Sequence, residues 1–96
     1  MTYKYCAVAL RKDDEMLFTF VNLPSGIVAI GKGEDFRSAM EDTLMDLLED
    51  EDFLPHDMLP PYRRPEEQEV EEIVTKVFAL PYHKEDVDIV DVAVAD

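Results

Sequence analysis

Residues 3 to 10, YKYCAVAL, place Tyr3, Tyr5, Ala7 and Ala9 on one side of an extended chain and Cys6, Val8 and Leu10 on the other. That period of two predicts a β-strand running to about Arg11. The polar stretch Lys12-Asp13-Asp14-Glu15 reads as a turn, and Met16 to Leu23, MLFTFVNL, as a second strand, so an antiparallel hairpin is expected. Pro24 ends that strand and makes a turn with Ser25 and Gly26. Ile27 to Ile30 form a short third strand, closed by Gly31-Lys32-Gly33.

The period then changes. Phe36, Ala39, Met40, Thr43, Leu44, Leu47 and Leu48 follow the i, i+3, i+4, i+7 rule of an amphipathic helix. Asp35 is placed to cap its first backbone N–H groups, and Pro55 stops it at about Asp52. Glu41, Asp42, Asp46, Glu49 and Asp50 stand opposite the apolar stripe. Residues 55 to 69 hold four of the six prolines and are expected to cross the surface irregularly. Glu72 to Leu80, EIVTKVFAL, has the β-branched content of another strand and ends at Pro81. Val87 to Ala95 alternates weakly, as a final edge strand would.

These elements predict an α+β two-layer βββαβ sandwich, with an antiparallel-rich sheet covered on one face by one helix and an extra C-terminal edge strand. Residues 1–80 make the domain, and residues 81–96 an acidic tail that serves as an edge or oligomerisation strand. A bare sheet face or an exposed apolar edge invites self-association, so a homo-oligomer, a dimer or higher, is expected.

Charge changes the picture most. The chain carries 23 acids against 9 bases, a formal charge of −14 on 96 residues. From Glu41 to Asp57 there are eight carboxylates and no Lys or Arg. Such a balance repels nucleic-acid phosphates and anionic membrane surfaces and attracts basic proteins. A hydrophobic fraction of 47% separates the chain from disordered acidic tails. The single cysteine, Cys6, sits in an apolar strand and is expected to be a packed core thiol, which fits a cytoplasmic setting. Neither a signal-peptide h-region nor an apolar run of membrane-spanning length is present.

Three stretches are similar to the N-terminal domain of the HicB antitoxin family. The hairpin YKYCAVALRKDDEMLFTFVNLP resembles that family's aromatic-rich first strand, charged turn and second strand ending in Leu-Pro. Leu23-Pro24-Ser25-Gly26 resembles its Leu-Pro-Gly turn, with Ser25 inserted. Gly33-Glu34-Asp35-Phe36-Arg37-Ser38-Ala39-Met40 resembles its Gly-x-Thr-x-x-Glu-Ala-Leu helix start, with Asp35 in place of the capping Thr and Ser38 in place of the Glu. The resemblance spans about residues 3 to 80 and implies a degenerate ribonuclease H-like βββαβ fold. It also implies an antitoxin that binds and occludes HicA, a small basic mRNA interferase with a double-stranded-RNA-binding fold. Many family members continue into a DNA-binding domain. Pro81 to Asp96 are too short and too acidic for one, which puts direct operator binding in doubt.

The residues expected to meet the basic partner are Glu41, Asp42, Asp46, Glu49, Asp50, Glu51 and Asp52. Asp42/Asp46 and Asp46/Asp50 are like-charge i,i+4 pairs, and Glu49 to Asp52 crowd the negative end of the helix dipole, costs that favour a partner-binding face over the alternative reading of a merely solvated one. The run Glu66 to Glu72 is read either as a flexible solvating segment or as an extension of the same surface. Arg63 and Arg64 are read as neutralising contacts within the fold. No enzyme is expected: the interior of the first strand offers no carboxylate for a ribonuclease H-like metal site, and His56 and His83 lack ligand spacing. No cofactor or metal is called for. A second reading rests on the same charge, that of a phage or mobile-element nucleic-acid mimic that blocks a host restriction or CRISPR nuclease.

Overall fold

A computed structural model describes residues 1–95 of the chain as four strands and two main helices. Asp96, the last residue of the expected tail, lies outside them. The strands are β1 (Thr2–Lys12), β2 (Glu15–Phe20), β3 (Val28–Ile30) and β4 (Val87–Ala95), and they form one antiparallel sheet in the order β3-β2-β1-β4. The protein is therefore α+β, with the predicted hairpin and the predicted C-terminal edge strand in place. Asp13 takes φ +54° in the two-residue turn between β1 and β2. A short polar side chain tolerates that left-handed conformation, which suits the twist of a hairpin.

Helix α1 (Phe36–Glu49) ends three residues short of the expected Asp52. The Asp35 carboxylate accepts from the backbone N–H of Arg37 and Ser38 and from the Ser38 hydroxyl, so the cap acts as predicted. Met40, Leu44 and Leu48 are buried against Tyr5, Ala7, Phe18, Phe20 and Val92 on one face of the sheet.

The expected strand over residues 72–80 is helical instead. Helix α2 (Glu67–Glu72) runs directly into a π-helical turn, Ile73–Val77, closed by a bond from Phe78 N–H to Ile73 O at 2.9 Å. Val70, Val74 and Phe78 recur every four residues and pack on Cys6, Val8, Leu10 and Val21. Burying that stripe outweighs the strand preference of Ile73, Val74, Thr75 and Val77, since propensity is a weak prior beside tertiary packing. Ala79 then adopts φ +58° and the Leu80 N–H returns to Val74 O at 3.0 Å, which ends the helix.

Two consequences correct the sequence reading. The sheet has a helix on each face, so the sandwich has three layers and not two. Its second face is also not bare, so stacking of two sheets no longer motivates self-association. The strand that joins the sheet after the helices is β4, paired with β1 from Thr2↔Ala95 to Leu10↔Val87, which makes residues 87–95 part of the sheet.

Candidate protein-docking site on the first helix

The capped start of α1 and its buried stripe fix which residues face outward. Asp42, Asp46 and Glu49 lie on the side opposite Met40, Leu44 and Leu48 and are exposed. A rise of about 1.5 Å per residue separates Asp42 from Asp46 by about 6 Å along the axis. Glu41 departs from the expectation: it lies half-buried on the flank of the helix. Asp50 is the C-cap residue, and its carboxylate accepts from the Phe53 N–H at 3.2 Å while its carbonyl accepts from Leu54 N–H at 2.8 Å. Asp52 is exposed in the turn that follows.

Glu51 and His56 close the end of the helix. The His56 Nε2 lies 2.7 Å from Leu48 O and its Nδ1 3.5 Å from Glu51 Oε1, with the ring 5.7 Å from that of Tyr3. His56 thus meets one of the carbonyls that a helix leaves unpaired at its C-terminus. It is the only basic side chain that comes within 4 Å of any of the seven carboxylates among the described residues. No basic residue occupies the last turn of α1. Tyr3, Met45, Leu48, Glu49, Glu51, His56 and Ala95 line a groove of about 400 Å³ that joins the acidic end of α1 to the end of β4.

Four of the nine cations are ion-paired elsewhere in the fold. Arg63 makes a two-pronged bond to Glu69 at 2.7 and 2.8 Å, and Lys84 lies 3.6 Å from Glu67. Arg64 and Lys4 approach Asp91 at 3.6 and 3.8 Å. Arg63 and Arg64 are therefore ion-paired within the fold, as expected, and the Arg63 guanidinium holds the Glu69 carboxyl below its ordinary range. Glu66 to Glu72 is no flexible segment: Glu67 to Glu72 form α2, with acids at its positive N-terminal end.

Asp91 is the residue that sequence reasoning missed. Its carboxylate accepts from the Tyr62 hydroxyl at 2.6 Å, and its carbonyl accepts from both Nη atoms of Arg37 at 3.3 and 3.2 Å. The Tyr62 bond, aided by Lys4 and Arg64, lowers the Asp91 pKa, while the same bond raises that of Tyr62. Asp91 ties the connection after α1, the start of α1 and β4 together. An aspartate in the middle of a mostly apolar strand was the available signal. Opposite it in the sheet, fully buried Cys6 has its thiol pKa pushed up to about 11, chiefly by burial and then by the Asp91 charge. The thiol is thus protonated at neutral pH and a poor nucleophile.

No helix is long and apolar enough to cross a membrane among the described residues. In comparisons with protein-family models, curated proteins and solved structures, nothing matches this chain.

Proposed function

We propose that the chain is a HicB-like antitoxin or a relative of one, which binds a small basic toxin of the HicA mRNA interferase type and occludes it through the outer face of α1. The observation that carries this reading is the stripe Asp42, Asp46 and Glu49, exposed on a well-packed helix and without an ion-pair partner among the described residues. Like charges one turn apart destabilise a helix, and acids in its last turn oppose the dipole. A cationic surface that docks there relieves both penalties. An interferase must present Lys and Arg to RNA phosphates, so carboxylates held at fixed spacing compete for the same groups.

The order of elements also supports a HicB-like scaffold: three antiparallel strands, a long amphipathic helix, then a strand returning to the sheet beside β1. Helix α2, inserted before that strand, is a departure from the βββαβ pattern.

The test uses the product of the neighbouring reading frame, if it encodes a short basic protein. RNA cleavage by that protein should be suppressed by the wild-type chain and persist with the triple variant Asp42→Lys, Asp46→Lys, Glu49→Lys. Equal suppression by the two chains would refute the assignment of α1 as the docking face.

A further inference from the structure

Among the described residues, strand β4 has β1 on one side and no strand on the other. Two independent bonds show which of its backbone groups point outward. The Cys6 carbonyl accepts from Val21 N–H at 2.7 Å and so faces β2, which makes Cys6 and Asp91 a pair without mutual hydrogen bonds. The Asp91 carbonyl accordingly points away from β1, where Arg37 reaches it. With a period of two, the N–H and C=O groups of Ile89, Asp91 and Ala93 all line the free edge. Among the described residues no backbone group pairs with them.

The edge is flanked by two grooves. On the α2 side, Val70, Tyr82, Val87 and Ile89 form the apolar floor of a groove of about 250 Å³, with Glu67 and Lys84 at its mouth. At the other end of β4, Ala95 shares the groove that contains Glu49 and Glu51 of the acidic face. Asp88, near the start of β4, is exposed.

From this juxtaposition we infer that β4 is an acceptor edge for an extended, positively charged segment of a partner protein, which adds as a fifth strand. Main-chain bonds to Ile89, Asp91 and Ala93 supply affinity in this mode, while alternate side chains enter flanking pockets. One set of side chains fills the apolar groove beside Val87 and Ile89. The segment's basic residues meet Asp88, Glu49 and Glu51. Arg37 covers the middle of the edge in the free chain and gives up the Asp91 carbonyl to an incoming N–H. A second copy of this chain fits less well, because antiparallel pairing of two β4 strands centred on the Arg37-capped carbonyl sets Asp91 against Asp91 between two chains of charge −14. The inference deepens the function proposed above and rests on it only for the positive charge of the segment.

The probe is a synthetic nine-residue peptide of alternating Val and Lys with blocked ends. Two controls accompany it: the same peptide N-methylated at every second amide, on the side that would face β4, and a Val/Glu peptide. The expected result is binding of the Val/Lys peptide with slowed amide exchange at Ile89, Asp91 and Ala93, and a loss of about tenfold or more on N-methylation. Because N-methylation leaves the protein unaltered, this arm does not depend on any variant folding. Ala93→Pro removes an N–H that makes no bond within the sheet, as proline on an edge strand permits, and should weaken the peptide by a similar factor. Equal affinity of the methylated and unmethylated peptides, with no protection at those amides, overturns strand addition and leaves the α1 reading standing. Protection by the Val/Glu peptide equal to that by Val/Lys overturns the basic character of the segment and, with it, the charge basis of the proposed function. Protection that appears without peptide as protein concentration rises assigns the edge to a second copy and refutes the foreign segment.

Discussion

Replacing Asp46 by lysine should make the free protein more stable. Asp46 lies one turn from Asp42 and from Asp50, and three residues before Glu49. Each like-charge neighbour costs a few tenths of a kcal/mol, and each becomes a favourable pair of similar size when the sign is reversed. A cation in the last turn also suits the helix dipole, and lysine is a better helix former than aspartate. Together these give a gain of roughly 1.5 kcal/mol at low salt, or about 5–10 °C in Tm for a domain of this size. Thermal unfolding followed by far-UV circular dichroism measures it, with Asp46→Asn as the variant that removes charge while keeping shape. In about 1 M NaCl the electrostatic part should shrink to less than half, because the Debye length falls to about 3 Å. A Tm for Asp46→Lys equal to or below wild type at low salt would show that the acidic stripe carries no strain, and the reasoning from strain to partner would fail.

Further outcomes follow from the core and from Asp91. Val74 is fully buried under the sheet, so Val74→Ala should lower stability by about 2 kcal/mol in denaturant unfolding; a loss below about 0.5 kcal/mol would mean that α2 does not cover the second face. Cys6 should resist a thiol reagent in the native protein near pH 8 and react at once when unfolded, given its burial and raised pKa; rapid native-state labelling would contradict the packing of β1. Asp91 has a lowered carboxyl pKa, so it stabilises the fold above its unfolded-state value, and that contribution is lost as pH falls through the lower folded-state value. Tyr62→Phe removes the largest cause and should move the Asp91 carboxyl titration, followed by carbon-13 NMR, upward; an unmoved titration would place the cause elsewhere.

The hairpin and α1 were legible in the sequence because each shows one clean period with a capping or turn residue at its end. Helix α2 was not. Ile73, Val74, Thr75 and Val77 satisfy strand preference, and the i,i+4 series Val70, Val74, Phe78 emerges only when the acidic run before it is counted as part of the same element. A second signal lay in β1, where Tyr5, Ala7 and Ala9 on one side and Cys6, Val8 and Leu10 on the other are all apolar. A strand buried on both faces needs cover on both. The acids of α1 were placed correctly around the helix, apart from Glu41, because helical spacing alone decides their side. The edge position of β4 was anticipated, but its pairing with β1 and the register that turns Ile89, Asp91 and Ala93 outward depend on strand order, which no local pattern records, and Asp91 acquires its partners only when β4, α1 and the proline-rich connection meet.

The most direct test of the account is the rate at which wild type and the Asp42→Lys, Asp46→Lys, Glu49→Lys variant associate with a small basic mRNA interferase of the HicA type, measured by stopped flow across a range of salt. Steered association should be fast for wild type and fall by about tenfold or more as salt rises, while the variant is slow and nearly insensitive to it. Equal rates for the two chains, unchanged by salt, would contradict the claim that this fold holds its carboxylates for a cationic partner.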